Sequence, residues 1–166
     1  MDKEEIFSQI YDQYIEKIYR FVFLKVNSQE IAEDITSETF LRGWKAFQNP
    51  RTKIENISAF LYQIARNLVN DFYRQKQKFK IVTIENVTIP DLENNPTEKA
   101  HLATDIEFVR KALTNLKDDY QDVIIWHYLD ELSIPEIAEI LNKSENAVRT
   151  LLSRGLNSLK KELAKL

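Results

Sequence analysis

Tight turns are scarce in this chain. Gly43 and Gly155 are its only glycines, and Pro50, Pro90, Pro96 and Pro135 its only prolines, among 166 residues. A sandwich or barrel of many short strands needs turn residues at frequent intervals, so such folds are disfavoured and long helices favoured. With 43% apolar and 11% aromatic residues the chain can build folded cores, at the length of one ordinary domain or two small ones. The expected class is all-α, with two small helical domains joined by a flexible linker.

Several function classes drop out on composition. There is no Cys, and His101 and His127 are the only histidines. This excludes a disulfide framework and makes a tetrahedral zinc site very improbable, so no metal and no cofactor is expected. His127 sits between Trp126 and Tyr128 in an apolar run and reads as a packed residue. No glycine-rich phosphate loop and no catalytic cluster is visible, so the chain is not read as an enzyme and no small-molecule substrate is expected. The opening Met1-Asp2-Lys3-Glu4-Glu5 is acidic where a secretory signal is basic and then apolar. No apolar run reaches the roughly 18 residues that a membrane span requires. The expectation is a cytoplasmic chain without membrane insertion.

Apolar periodicity organises the rest. Ile6, Ile10, Tyr14, Ile18, Phe21 and Val22 fall at helical spacing, with Phe7 widening the stripe. A break at Asn27-Ser28 precedes a second stripe, Ile31, Ile35, Phe40, Leu41, Trp44 and Phe47, which should end before Asn49-Pro50. Ile57, Phe60, Leu61, Ile64, Leu68 and Phe72 predict a third long helix reaching about Lys78. Three such stripes can enclose one core. Residues 79–98 change character, with Pro90, Pro96 and Glu93-Asn94-Asn95, and read as an extended tether in which Thr97 caps the next helix. A short strand over Ile81 to Val87 is the alternative for its first part. Helical spacing resumes from Glu98 through Ile106, Val109, Leu113 and Leu116, and continues to Leu129. The domain boundaries on this reading are 1–78, 79–98 for the linker, and 99–166.

The most specific local signal runs from Leu132 to Leu152 and reads as a helix-turn-helix. Ser133 with Glu136 forms a capping box, and Pro135 lies in the first turn, where a missing N–H costs little. Ala138 is small where a second helix must cross, Asn142 suits a left-handed turn position, and Ser144 can cap the second helix. In that helix Val148, Leu152, Leu156, Leu159 and Leu163 form the inward stripe. Asn146, Arg149, Thr150, Ser153 and Arg154 are left outward near its start, where a recognition helix meets base edges in the major groove.

A formal charge of −3 looks wrong for a nucleic-acid binder, but the charge is unevenly distributed. Residues 143–166 carry 6 basic and 2 acidic side chains, against 3 basic and 9 acidic over 101–142. A second basic island holds Arg66, Arg74, Lys76, Lys78 and Lys80 with the single acid Asp71. If Phe60, Ile64, Leu68 and Phe72 face the core, the third helix turns Tyr62, Gln63, Arg66, Asn67, Asn70, Tyr73 and Arg74 outward. Aromatics interleaved with cations and amides suit unpaired nucleic acid, since rings stack on bases and Arg binds phosphates.

In this order, these segments resemble the sigma factors of bacterial RNA polymerase, of the extracytoplasmic-function class that has regions two and four only. Ala32 to Trp44 resembles that class's polymerase-binding segment. Ala59 to Arg74, with its Ala65-Arg66-Asn67 and Asp71-x-x-Arg74 elements, resembles the helix that melts promoters and reads the minus-ten element. Glu136-Ile137-Ala138 through Arg154 resembles the region-four helix-turn-helix that binds the minus-thirty-five element. Ser37 stands where the family usually has Gln, Gln121 and Leu151 where it often has Arg, and Asn142 where it has Gly.

The resemblance implies a promoter-specificity subunit. Glu33, Asp34, Ser37, Glu38 and Leu41 would dock on core RNA polymerase. Ser144, Asn146, Arg149, Thr150, Ser153 and Arg154 would hold the upstream element as duplex. Tyr62, Arg66, Asn67, Asn70, Tyr73 and Arg74 would hold the melted minus-ten strand, with Asn49, Arg51 and Lys53 of the loop Gln48 to Asn56 around a flipped base. An anti-sigma factor is an implied partner, and the linker with Asp91 and Glu93 would run near the RNA path. The alternative is an operator-binding regulator that acts without polymerase. It accounts for the helix-turn-helix but leaves the Asp34 segment and the Ala65-Arg66-Asn67 helix unexplained.

Overall fold

The computed structural model describes residues 1–83 and 104–165. In chain order the elements are α1 (Lys3–Val26), α2 (Gln29–Gln48), α3 (Ile57–Thr83), α4 (Thr104–Thr114), α5 (Asp118–Ile124), a π-helical turn (Ile125–Leu129), α6 (Ile134–Leu141) and α7 (Glu145–Lys165). No strand occurs among the described residues. The chain divides into two compact units, Met1–Asn94 and Asn95–Leu166. α3 continues past Lys78 to Thr83, so the first residues assigned to the tether, and the start of the alternative strand at Ile81, are helical. The rest of that tether, with Asp91, Glu93 and Thr97, and the strand as far as Val87 lie outside the described residues, as does His101.

In the first unit the helix boundaries follow from local hydrogen-bond chemistry. Asp2 caps α1 by accepting from the Glu5 N–H at 2.8 Å, and Glu4 and Glu5 place negative charge at the positive end of the helix dipole. α1 stops at Asn27, which adopts a left-handed φ of 55° and donates its N–H to Phe23 O. Ser28 then opens α2 by accepting from the Ile31 N–H at 3.3 Å. The Asn27-Ser28 break is therefore a C-cap and an N-cap back to back. Asn56 caps α3 through the Ala59 N–H at 3.1 Å, a role that the sequence reading of that loop did not assign.

α1, α2 and α3 pack pairwise on one another around Ile18, Phe21, Val22, Ala32, Thr39, Leu61, Tyr62, Ala65 and Val69. Two stripes sit differently from expectation. In α1 it is Phe7 that is buried, against Trp44 and Phe47 at 5.1 and 5.7 Å between ring centroids, while Ile6 is exposed. In α3 the innermost positions are Ser58, Ala59, Leu61, Tyr62, Ala65 and Val69, and Phe60, Ile64, Leu68 and Phe72 are only half-buried. The core face is thus turned by roughly 100°, one residue step of an α-helix, from the stripe of large side chains. Small residues face inward because α2 lies close. A Cβ on Gly43 would come within 2.9 Å of Leu61 Cδ2.

In the second unit α7 packs on α4, α5 and α6. Gln121 to Trp126 are buried without interruption, as expected of a helix segment enclosed on all sides. Gln121 donates from Nε2 to Leu116 O at 2.8 Å, closing the turn between α4 and α5. The π-helical turn ends with the Asp130 N–H donating to Ile125 O and the Leu132 N–H to Trp126 O, while Glu131 takes a left-handed φ of 58°. His127 is tied down as expected of a packed residue. Its Nδ1 lies 2.9 Å from Leu132 O, so Nδ1 carries the proton and donates.

The helix-turn-helix forms as the sequence predicts. Ser133 Oγ accepts from the Glu136 N–H at 3.2 Å and donates to its carboxylate at 3.0 Å. Pro135 sits in the first turn, and Asn142 ends α6 at φ 52° and ψ 48°. Ser144 accepts from the Ala147 N–H at 3.1 Å and starts α7. Val148 and Leu152 are buried, whereas Leu163 at the far end is exposed. Gly155 completes the inward stripe, and a Cβ there would stand 3.2 Å from Ile124 Cδ1 and 3.3 Å from Tyr120 Cβ.

Two stability outcomes follow. Asn142→Ala should cost about 1 kcal/mol, the penalty of a left-handed backbone carrying an ordinary side chain. Asn142→Gly should stay within about 0.5 kcal/mol of the parent. Gly155→Val should cost about 1–2 kcal/mol, because overpacking against the Tyr120 Cβ outweighs the small gain in helix propensity. Urea titration followed by far-ultraviolet circular dichroism checks both, and equal midpoints for Asn142→Ala and Asn142→Gly would contradict the backbone assignment.

Candidate nucleic-acid interface

The N-terminal turns of α7 present one polar surface. Asn146, Arg149, Thr150, Ser153 and Arg154 are all exposed, on the face opposite Val148, Leu152 and Gly155. Arg149 Nη1 donates to Asn146 Oδ1 at 3.0 Å, holding an amide and a guanidinium side by side. These are the groups that pair bidentately with adenine and guanine edges in a major groove. Thr150 Oγ1 donates to Asn146 O at 3.0 Å, so its hydroxyl proton is engaged within the helix while its methyl group remains outward-capable. Ser144 uses its Oγ as an acceptor in the cap, which leaves its hydroxyl proton to donate. It also stands at the N-terminus of a long helix, where N–H groups and the dipole favour phosphate. Behind this surface Lys143 of the turn meets Asp119 of α5 at 4.0 Å.

The outer face of α3 is the second surface. Asn67 and Arg74 are exposed, and Gln63, Arg66 and Asn70 are half-buried along the same face. Arg74 pairs with Asp71 at 3.4 Å, an exposed pair whose net worth is small. At the N-terminal end of α3, Asn49, Arg51 and Lys53 are all exposed. Asn49 Oδ1 accepts from the Arg51 N–H at 3.0 Å and Asn49 O from the Thr52 N–H at 3.1 Å, which shapes that loop into a turn.

Two residues expected on this surface are placed otherwise. Tyr62 is fully buried, edge-on to Phe21 at 6.0 Å, so it is a core residue and cannot stack on a base. The correction follows from the rotation of α3 described above. Tyr73 is half-buried, and its hydroxyl donates to Lys25 O near the end of α1. It ties α3 to α1 beside Phe72, whose ring lies 5.3 Å away.

The outer face of α2 carries the third group. Glu33, Asp34, Ser37 and Leu41 are exposed and Glu38 is half-exposed, so all five share one side of the helix. Gln29 donates to Glu33 at 3.1 Å, and Arg42 pairs with Glu38 at 2.9 Å. Burial, and then the Glu33 carboxylate, raise the Tyr19 phenol above its ordinary value. Leu41, expected both in the apolar stripe and on this face, is 47% exposed and belongs to the face. It also borders an open groove of ≈ 550 Å³ lined with Phe7, Tyr11 and Trp44. The face is therefore acidic around an apolar centre, with Asp34 exposed and Glu38 paired to Arg42.

Comparison with known proteins matches the two units to two regions of one family. Residues 10–79 match Sigma-70 region 2, and residues 108–159 match Sigma-70, region 4. The chain is 30% identical to the ECF RNA polymerase sigma factor BldN of Streptomyces coelicolor over 93% of its own length, but spans only 59% of that protein. It is also 30% identical to the ECF RNA polymerase sigma factor SigM of Bacillus subtilis, over 92% of this chain and 91% of the other. In fold it resembles a chain in the co-crystal structure of the sigma factor RpoE with the anti-sigma factor NepR from Bartonella quintana. That likeness has a TM-score of 0.72 at 24% identity and covers 96% of this chain and 98% of that one. No helix among the described residues is long and apolar enough to cross a membrane.

The reassignment of Tyr73 is testable by stability. Tyr73→Phe keeps the ring and deletes the hydroxyl, leaving the Lys25 carbonyl without that donor. It should lower stability by about 1 kcal/mol. Thermal unfolding of the two proteins checks this, and an unchanged midpoint would return the hydroxyl to a role outside the fold.

Proposed function

Because the chain belongs to the sigma-70 family, as a sigma factor of the extracytoplasmic-function class, we propose that it directs core RNA polymerase to promoters by holding two DNA elements in two different forms. The reading is carried by one observation. Both matched family regions fold so that a polar, donor-rich helix face points away from the core, on α3 in region two and on α7 in region four.

On this reading α7 enters the major groove of the upstream duplex. Asn146 and Arg149 meet base edges, the Thr150 methyl meets an apolar base edge, and Ser144, Ser153 and Arg154 anchor phosphates. α3 holds the separated minus-ten strand with Arg66, Asn67, Asn70 and Arg74, and Asn49, Arg51 and Lys53 surround a base at its N-terminal end. Glu33, Asp34, Ser37, Glu38 and Leu41 dock on a basic, partly apolar surface of the core enzyme. Melting then needs no nucleotide hydrolysis. The protein binds the open strand in preference to the paired one, and that difference in affinity shifts the duplex equilibrium. An anti-sigma factor that covers the α2 and α7 faces would silence both tasks.

Run-off transcription from a promoter library with purified core polymerase tests the whole reading. Transcripts that start at defined sites only when this protein is present are expected. Specific duplex binding without polymerase, and no transcripts, would replace the reading with an operator-binding regulator. On a promoter so recovered, Arg149→Ala should weaken upstream binding about tenfold or more, as the loss of one good base contact does. Asn67→Ala should spare that binding and reduce open-complex formation. Permanganate footprinting separates the two effects, and identical behaviour of the variants would remove the division of labour.

A further inference from the structure

Asn146 and Arg149 are bonded to each other before any DNA is met. Arg149 Nη1 donates to Asn146 Oδ1 at 3.0 Å across one turn of α7, and both residues are exposed. A guanidinium carries donors only, so the Asn146 atom that faces it is the oxygen, and the Nδ2 protons are turned away. The partner is an amide rather than a carboxylate, so Arg149 keeps its full charge, whereas Arg74 shares its own with Asp71. Thr150 donates instead to the Asn146 backbone carbonyl and leaves the side-chain oxygen to Arg149.

This pairing changes what the carboxamide can read. A free Asn reads adenine with both ends, accepting from N6 with its oxygen and donating to N7 with its amino group. Here the oxygen already accepts from Arg149. What the two side chains still offer a groove is protons, those of Asn146 Nδ2 and those of Arg149 not directed at Oδ1. Guanine alone presents N7 and O6 as paired acceptors with no donor on its major-groove edge. Adenine and cytosine each set an amino group against these donors, and thymine has a single acceptor beside its methyl group.

We propose that Asn146 is a positioning residue for Arg149, and that the two side chains act as one donor surface that reads a guanine in the upstream duplex. This rests on the function proposed above, in which α7 enters the major groove. Arg149 supplies the forked contact to N7 and O6. Asn146 holds that fork, so less rotamer freedom is lost on binding, and its Nδ2 protons extend the same donor surface. In water the pair contributes little, because both side chains are exposed. Between the groove walls water is excluded and the bond strengthens. The guanidinium need not break it to reach the base, since the Nε and Nη2 protons remain for the fork.

The test measures binding of the full chain with core polymerase to a promoter that the library returns, with each upstream base pair replaced in turn by the other three. Arg149→Ala should abolish a preference for guanine at one position, a loss of about tenfold or more. Asn146→Ala should reduce the preference at that same position by about threefold to tenfold, and should add less than about twofold when Arg149→Ala is already present. Asn146→Asp keeps the acceptor and loses the amino group. It should lower affinity for every sequence through repulsion from phosphates, yet retain the ratio of guanine to adenine at that position. An independent adenine reader behaves differently. Asn146→Ala and Asn146→Asp would then both flatten a second position where adenine is preferred, and the loss from Asn146→Ala would add in full to that from Arg149→Ala. That pattern overturns the inference, as does an Asn146→Ala protein with every base preference of the parent. In either case the guanine preference lost in Arg149→Ala leaves the proposed function standing. If Arg149→Ala itself changes no preference, the reading of bases by α7 falls, and this inference with it.

Discussion

Two pairs of helices cross closely at a glycine, and the direction of both polar faces depends on that approach. α2 meets α3 where Gly43 faces Leu61, and α7 meets α5 where Gly155 faces Tyr120 and Ile124. Close approach fixes which side of a helix is inward, because a rotation would drive a larger side chain into the same gap. With Leu61, Tyr62, Ala65 and Val69 inward on α3, Asn67 and Arg74 have nowhere to go but outward. With Val148, Leu152 and Gly155 inward on α7, the same holds for Asn146, Arg149 and Ser153. The chain can use both of its glycines this way because its helix reversals are made by Asn27 and Asn142, which accept left-handed backbone themselves.

Charge is handled by separation. A formal total of −3 describes no surface that a partner meets. The exposed side of α2 is acidic around Leu41, while α7 and the far end of α3 are basic. At physiological salt such fields are screened over about 8 Å, so each face acts chiefly on what touches it. On the function proposed above, one chain thereby offers carboxylates to a protein surface and cations to DNA.

The sequence made the helix-turn-helix legible in detail because its determinants are local. A Ser three residues before a Glu, a Pro in the first turn, an Asn at the reversal and a Ser at the next start each act on backbone groups within a few positions. The α2 face was named only through the resemblance of Ala32 to Trp44 to a polymerase-binding segment, since the residues by themselves offered no more than acids near a helix start. What failed was the rotation of α3. Phe60, Ile64, Leu68 and Phe72 form the larger apolar stripe, yet close packing against Gly43 favours the narrower side with Ala59, Ala65 and Val69, and Tyr62 follows them inward. Only tertiary contact decides between two such stripes. The π-helical turn, the left-handed Glu131 and the Gln121 bond to Leu116 O are likewise set by how α5 is enclosed, and they leave no pattern in the residues.

The hydrogen bonds around the polar faces fall into two kinds, and the difference bears on how a rigid fold can exchange water for DNA. Ser144 to the Ala147 N–H and Tyr73 to Lys25 O satisfy backbone groups that the fold cannot leave unmet. Arg149 to Asn146 and Arg74 to Asp71 join exposed side chains that water can serve equally well. Exposed pairs of that kind contribute roughly 0–1 kcal/mol, so giving them up to a base or a phosphate costs little. They still narrow the rotamers that each side chain samples before contact, which reduces the ordering that binding must supply. The backbone bonds therefore hold the faces in place, and the weak side-chain pairs keep Asn146, Arg149 and Arg74 near the geometry that the proposed contacts need.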